Sequence, residues 1–210
     1  MISIDGRLDE PAWQRALLLD LPFETEPGEN IPAPVRTEVR VYPGWAAETM
    51  WQFQPLAALQ LNFYGNLGDS IDYENVRPGW QVQANPAVTL NAGRRLAFGL
   101  DHNYLQMNVG GRELFTANIT QAKVIYHISL RMFLRAVGQY VDYRYNAANY
   151  TFPVDPVFRH FFTQLLFSYK LNPRTVLFLG YSDNALGTRE YRLTRSDRTV
   201  FMKVSYSWQM

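Results

Sequence analysis

VFMKVSYSWQM, residues 200–210, alternates in character almost without a break. Val200, Met202, Val204, Tyr206, Trp208 and Met210 are apolar or aromatic. Lys203, Ser205, Ser207 and Gln209 between them are polar, and only Phe201 breaks the pattern. Successive side chains of a strand point to opposite faces, so one face of this strand meets an apolar medium and the other a polar one. In a soluble sandwich the apolar face would be a core. In an outer-membrane barrel it would meet lipid, with the polar face turned to the lumen.

The same sorting recurs upstream. In 161–171, Phe161, Leu165, Phe167, Tyr169 and Leu171 oppose Gln164, Ser168 and Lys170. In 131–143, Met132, Leu134, Ala136 and Tyr140 oppose Arg131, Arg135 and Gln139. Residues 80–91 set Trp80, Val82, Ala84, Val88 and Leu90 against Gln81, Gln83, Asn85, Thr89 and Asn91. Residues 52–64, read as one strand, set Phe53, Leu59, Leu61 and Phe63 against Gln52, Gln60 and Asn62. Pro55 and Pro86 mark edges or bulges within these strands. With 94–108, 113–128, 175–184 and 199–210 the predicted set is about eight strands. A change of phase near Asp101 points to a bulge there.

The connections carry further information. Short turns at 91–93, 129–130 and 172–174 alternate with long polar loops at 65–79, 147–157 and 185–198. Short periplasmic turns and longer outer loops are the membrane-barrel pattern, which a soluble Greek key has no reason to follow. The expected fold is therefore all-β: an up-and-down antiparallel outer-membrane-type barrel over 46–210. Both ends of the strand set lie on the periplasmic side, and a distinct segment, 1–45, hangs in the periplasm.

Composition narrows the partners. Net charge is +1, with 20 Lys and Arg spread without a basic stripe, so nucleic acid is not an expected partner. There is no cysteine, which excludes disulfides and thiolate metal sites. Aromatic residues make up 15%, suiting either membrane-interface girdles or sugar-binding surfaces. Mean hydropathy is −0.23, a value that a barrel shares with soluble proteins because only alternate residues face lipid. The opening MISIDGRLDEPAW has neither the basic start nor the apolar run of a signal peptide.

Within 1–45, Asp9 is a plausible N-cap for a short helix with Trp13, Ala16 and Leu17 on its apolar face. Residues 24–34 read as loop, and 37–41 as a short strand stopped by Pro43-Gly44. IDGRLDEPAW at 4–13 and PVRTEVRV at 34–41 resemble the start of a carbohydrate-binding family 9-like module. The segments 101–121, 126–143 and 164–181 resemble the C-terminal barrel of an uncharacterised bacterial family in which such a module precedes an outer-membrane-type barrel. That resemblance implies a truncated or internally deleted member, joined near 42–49, whose partners are the lipid bilayer and an oligosaccharide. It also implies contact with the outer-membrane assembly machinery through the final strand, from Val200 to Met210.

Catalytic patterns are sparse. Asp9-Glu10 reads as a helix start, and Asp69, Asp72 and Glu74 as solvated charge on an outer loop rather than a glycosidase pair. His102, His127 and His160 have no metal-ligand spacing, and no nucleotide or nucleophile motif occurs. Neither cofactor nor metal is expected. The strand phases make Arg131, Arg135, Gln139, Lys170 and Lys203 the lumen-facing candidates, with His127 beside Lys123 as ordinary lining. The family resemblance, rather than any site among these residues, implies the expected function: a non-enzymatic outer-membrane barrel that binds or passes glycans. A glycoside hydrolase and a soluble ligand-binding barrel remain the alternatives, the last distinguished by where Trp80, Phe167 and Trp208 point.

Overall fold

A computed structural model describes residues 17–24, 31–41, 44–75, 77–190 and 192–207. Apart from a 3-10 turn at Ala147–Asn149, the regular elements among them are all strands. β1 (Leu17–Glu24) and β2 (Ile31–Val41) form a small antiparallel sheet of their own. The remaining nine strands make one antiparallel sheet in strict chain order. They are β3 (Ala46–Leu56), β4 (Leu59–Asp72), β5 (Arg77–Ala92), β6 (Leu96–Val109), β7 (Arg112–Ser129), β8 (Met132–Tyr145), β9 (Val157–Asn172), β10 (Thr175–Thr188) and β11 (Thr194–Tyr206). β3 and β11 are its edges and do not pair with each other, so the sheet is open.

The strand count is nine rather than eight because 52–64 is a hairpin. Its turn at 57–58 leaves Phe53 opposite Leu61, so the alternation stays in step across the turn and conceals it. Pro55 lies on the edge strand where the register slips between Phe53 and Leu56, a position that needs no ladder donor. Pro86 interrupts β5–β6 pairing between Ala84 opposite Tyr104 and Ala87 opposite Asp101.

Most of what reads as long loop at 65–79 and 185–198 is strand. β4 continues to Asp72, β5 starts at Arg77, β10 continues to Thr188 and β11 starts at Thr194. The glycines that suggest loop mark close approach instead. A Cβ on Gly79 would lie 2.8 Å from the Asn108 carbonyl oxygen and 2.6 Å from Met107 Cε. Gly110 and Gly111, with φ of 61° and 76°, form a tight turn of the positive-φ kind that matches strand twist. Only 146–156 remains a long connection.

No bulge occurs at Asp101. The β6–β7 register runs unbroken from Leu96 to Met107 and slips only there. What changes near residue 101 is the character of the faces. Leu96, Phe98 and Leu100 share a face with Tyr126, Val124 and Ala122, but farther along that face carries His102, Tyr104 and Gln106. On the opposite face, Leu105 and Met107 stand against Ala117 and Phe115, and Met107, Val109 and Leu114 form a small buried core.

The sheet thus has a band of apolar surface on one side. Tyr126, Leu134, Phe167, Leu179 and Met202 stand in one row across β7 to β11. The band's side chains are the exposed ones: Leu165 is 55% and Met202 71% accessible. Tyr169 and Phe161 bracket it on β9, a span of about 27 Å along the strand. At a barrel's usual tilt that is about 20 Å, close to the ~25 Å height of a lipid-facing band. β7 is 18 residues long, so strands continue well past the band at the end where 146–156 lies.

The predicted helix near Asp9 lies outside the described residues except for Leu17, which opens β1 instead. Ile31 to Pro34, read as loop, begin β2. Proline is tolerated there because both strands of a two-stranded sheet are edges.

Candidate functional site

The face opposite the apolar band carries two clusters. Arg135 and Gln139 of β8, Lys170 of β9 and Lys203 of β11 share it by register, together with Lys123 and His127 of β7. Arg131 does not project from a strand. It sits in the β7–β8 turn, where its carbonyl accepts the Lys170 N–H at 2.8 Å, because the strand pairing closes with Ser129 opposite Met132. Arg135 Nη2 donates to Gln164 Oε1 at 3.0 Å, while its shielded Nε has no partner. The histidines stay apart. His102 Nδ1 meets Thr120 Oγ1 at 2.8 Å, His160 Nε2 meets Asn184 Oδ1 at 2.9 Å, and the His127 ring packs 5.9 Å from that of Phe133. Among the described residues no grouping of His, Asp and Glu could hold a metal ion.

The second cluster lies at the far end, beyond the apolar band. Tyr143 and Tyr145 stack at 5.7 Å, Phe115 packs within 6.3 Å of both, and Tyr150 meets Tyr145 edge-on at 5.8 Å. These rings line a cleft of about 310 Å³ with Asp72, Glu74 and Gln81. Alternation alone puts Tyr143 and Tyr145 on one face. Their spacing was legible in the sequence, but their union with 72–77 depends on tertiary structure.

Loop 146–156 roofs this end. Thr151 donates from its N–H and Oγ1 to Asn75 Oδ1, at 3.1 and 2.6 Å. Arg77 donates to the Asn149 carbonyl, and Asn149 Nδ2 reaches the Glu113 carbonyl at 2.9 Å. Beneath lies Asp72, which is 5% exposed. Its carboxylate accepts from Arg77 Nε at 2.9 Å and from Asn75 Nδ2 at 2.8 Å. Asp72 is therefore no solvated loop charge; it anchors the roof. The strand extension past the band explains why, since it buries the residue beneath the loop.

Burial raises the Tyr150 hydroxyl pKa above its ordinary value of 10.0, and the nearby Glu74 charge raises it further. The folded state thus favours the neutral phenol. Its contribution to stability is complete below the ordinary value and is lost as pH climbs above it toward the folded-state value. In an alkaline absorbance titration, Tyr150→Phe should remove amplitude only at the latest-titrating end. Loss of amplitude in the ordinary tyrosine range would show that this hydroxyl is not shielded.

Trp80 and Phe167 both lie on the apolar, outward-exposed side, and Trp208 lies outside the described residues.

No family model matches the chain, and no curated protein matches it. Among solved structures, the outer-membrane expressed OmpT of Vibrio cholerae is similar, with a TM-score of 0.53 and 13% identity over 79% of this chain. The match spans 56% of the length of that structure. At that identity the likeness is one of fold: the chain is built as an all-β antiparallel sheet of the outer-membrane-barrel kind.

Proposed function

We propose that this chain is an outer-membrane β-barrel protein whose polar face lines a water-filled interior admitting small polar solutes, oligosaccharides among them. The observation that carries the reading is the exposed apolar band. An interior-binding soluble barrel would place its large apolar side chains inside, whereas here Leu165, Leu179, Met202 and Val204 are exposed on the face away from the polar one. Tyr169 and Tyr206 at one margin, and Tyr140 and Phe161 at the other, fall where interfacial girdles sit. In this reading the tight turns at 57–58, 93–95, 130–131 and 173–174 are periplasmic, and so is the end of β11. With nine strands rather than eight, the start of β3 at Ala46 lies at the opposite end, so the expected placement of both ends of the strand set, and of 1–45, on the periplasmic side does not hold. The final strand then presents the signal for outer-membrane assembly.

The finer reading, glycan passage without catalysis, is supported by the ring-lined cleft. Tyr143, Tyr145 and Phe115 offer apolar faces to sugar rings, and Glu74 and Gln81 offer hydroxyl partners. The resemblance of 4–13 to a carbohydrate module points the same way. The test is to fold the full chain into detergent or lipid vesicles and compare gel mobility with and without boiling. A faster unheated band and a lipid-dependent tryptophan shift are expected. A chain that stays folded and monomeric without detergent would overturn the reading.

A further inference from the structure

Charge on the polar face is divided by height. Cross-strand partners define its rows at the end away from the roof. One runs His127, Phe133, Ser168, Phe178, Lys203. Arg135 lies one row above, Lys123 one row above that, and Lys170 below, opposite Val176. No carboxylate occupies these rows. The first are Asp101 and Asp197, both a row above Lys123, opposite Gln121 and Asn184 respectively. The described ion pairs all belong to the far end, and only Arg77 with Asp72 is on this face; Arg144 and Arg159 with Asp142, and Arg195 and Arg198 with Asp183, stand on the opposite one.

The lower cations therefore face one another without counter-charges. Strands stand about 4.8 Å apart and residues about 3.3 Å along them, so Lys123 on β7 and Lys203 on β11, four strands and two rows apart, lie within roughly 25 Å. Like charges gathered on one face raise a positive potential in the space before them, which favours an anion there. Other basic residues of this end, Arg94, Arg95 and Arg131, sit in turns that add to the same positive field. The cation-bearing rows themselves also hold polar groups, Ser168 in the Lys203 row and Gln164, Ser182 and Thr199 in the Lys123 row, which can complete hydrogen bonds to an anion. Arg135 has one guanidinium nitrogen held by a neutral amide and another without a partner, so its charge is oriented but not neutralised.

We propose that Lys123, Arg135, Lys170 and Lys203 form a binding belt for small anions bearing carboxylate or phosphate groups, and that this belt makes passage through the interior anion-selective. The selectivity rests on the interior reading above, whereas the binding belt does not. A low-dielectric wall strengthens the field of such a belt, and rings of Lys and Arg are one way pores choose anions.

Two measurements on the full chain in detergent separate these ideas. The first is fluorescence anisotropy of a pyrene tetrasulfonate dye as the anionic probe. Lys123→Gln combined with Lys203→Gln should weaken dye binding about tenfold, roughly one charge-assisted contact. Arg192→Gln at the far end should leave it unchanged. Both substituted lysines are exposed, so the fold is retained, and the unheated gel band checks this. Equal weakening by Arg192→Gln, or no dye binding to the parent chain, would overturn the belt. The second is the reversal potential of the reconstituted chain in a potassium chloride gradient. Chloride preference that falls in the double variant supports selectivity, and potassium preference overturns it. Dye binding without conductance upholds the belt and overturns passage.

Discussion

Leu165→Arg should reduce the stability of the chain folded into lipid vesicles by roughly 2–4 kcal/mol, the cost of a cation near the midplane of a barrel's lipid face. Leu165 is 55% exposed and stands between Ala136 and Tyr181, with Phe167 two residues along on the same face. In water the same change would be close to neutral, because an exposed leucine gains nothing from burial and arginine is well solvated. The size of the effect therefore reports which solvent touches the band. Thr199→Arg, on the polar face opposite Ser182, provides the control and should shift stability by no more than about 0.5 kcal/mol. Urea titration of vesicle-folded protein measures both. Equal, small effects at the two positions would mean that the apolar band meets water, and the membrane reading would fall.

That face was legible from the sequence because an apolar surface on one side of a sheet and a polar one on the other impose period two directly on the chain. Phe161, Leu165, Phe167 and Tyr169 sort from Gln164, Ser168 and Lys170 without any knowledge of partners, and the observed register keeps them sorted. Legibility fails where the environment changes along a strand. Above Asp101 the former lipid-type face carries His102 and Gln106, while Met107 turns into a small core. A reader of pattern sees a slipped strand, although the backbone does not slip. It fails again where a turn preserves parity, as at 57–58, and where strands outrun the band, as β4 does to Asp72. Glycine and acid in those extensions look like loop because nothing local records the pairing across the sheet. The roof was hidden for the same reason: Asn75 and Thr151 lie 76 positions apart, with the four strands β5 to β8 between them.

Asp72→Ala should release that roof. Asp72 accepts from Arg77 and from both the backbone and side-chain nitrogens of Asn75, and each of these partners holds loop 146–156 by a further bond. Removing the carboxylate leaves the Arg77 guanidinium, half-covered by the loop, without its counter-charge. Breaking one side of such a buried pair costs about 3–5 kcal/mol, mostly the penalty of the abandoned charge. Asp72→Ala combined with Arg77→Met should therefore cost less than Asp72→Ala alone, a sign that additive contacts would not give. The loss is local, because the roof stands beyond the apolar band and the strands beneath it keep their ladders. Hydrogen exchange at the Thr151 amide should accelerate by about 100-fold or more, while Phe167 and Leu179 in the band keep their protection. Unchanged exchange at Thr151 would show that the loop is held by Asn146 and Asn149 on the Glu113 carbonyl alone. Acceleration confined to the roof would instead tie access to the cleft at Tyr143 and Tyr145 to a single buried carboxylate. The roofed end of the sheet would then open without disturbing the apolar band.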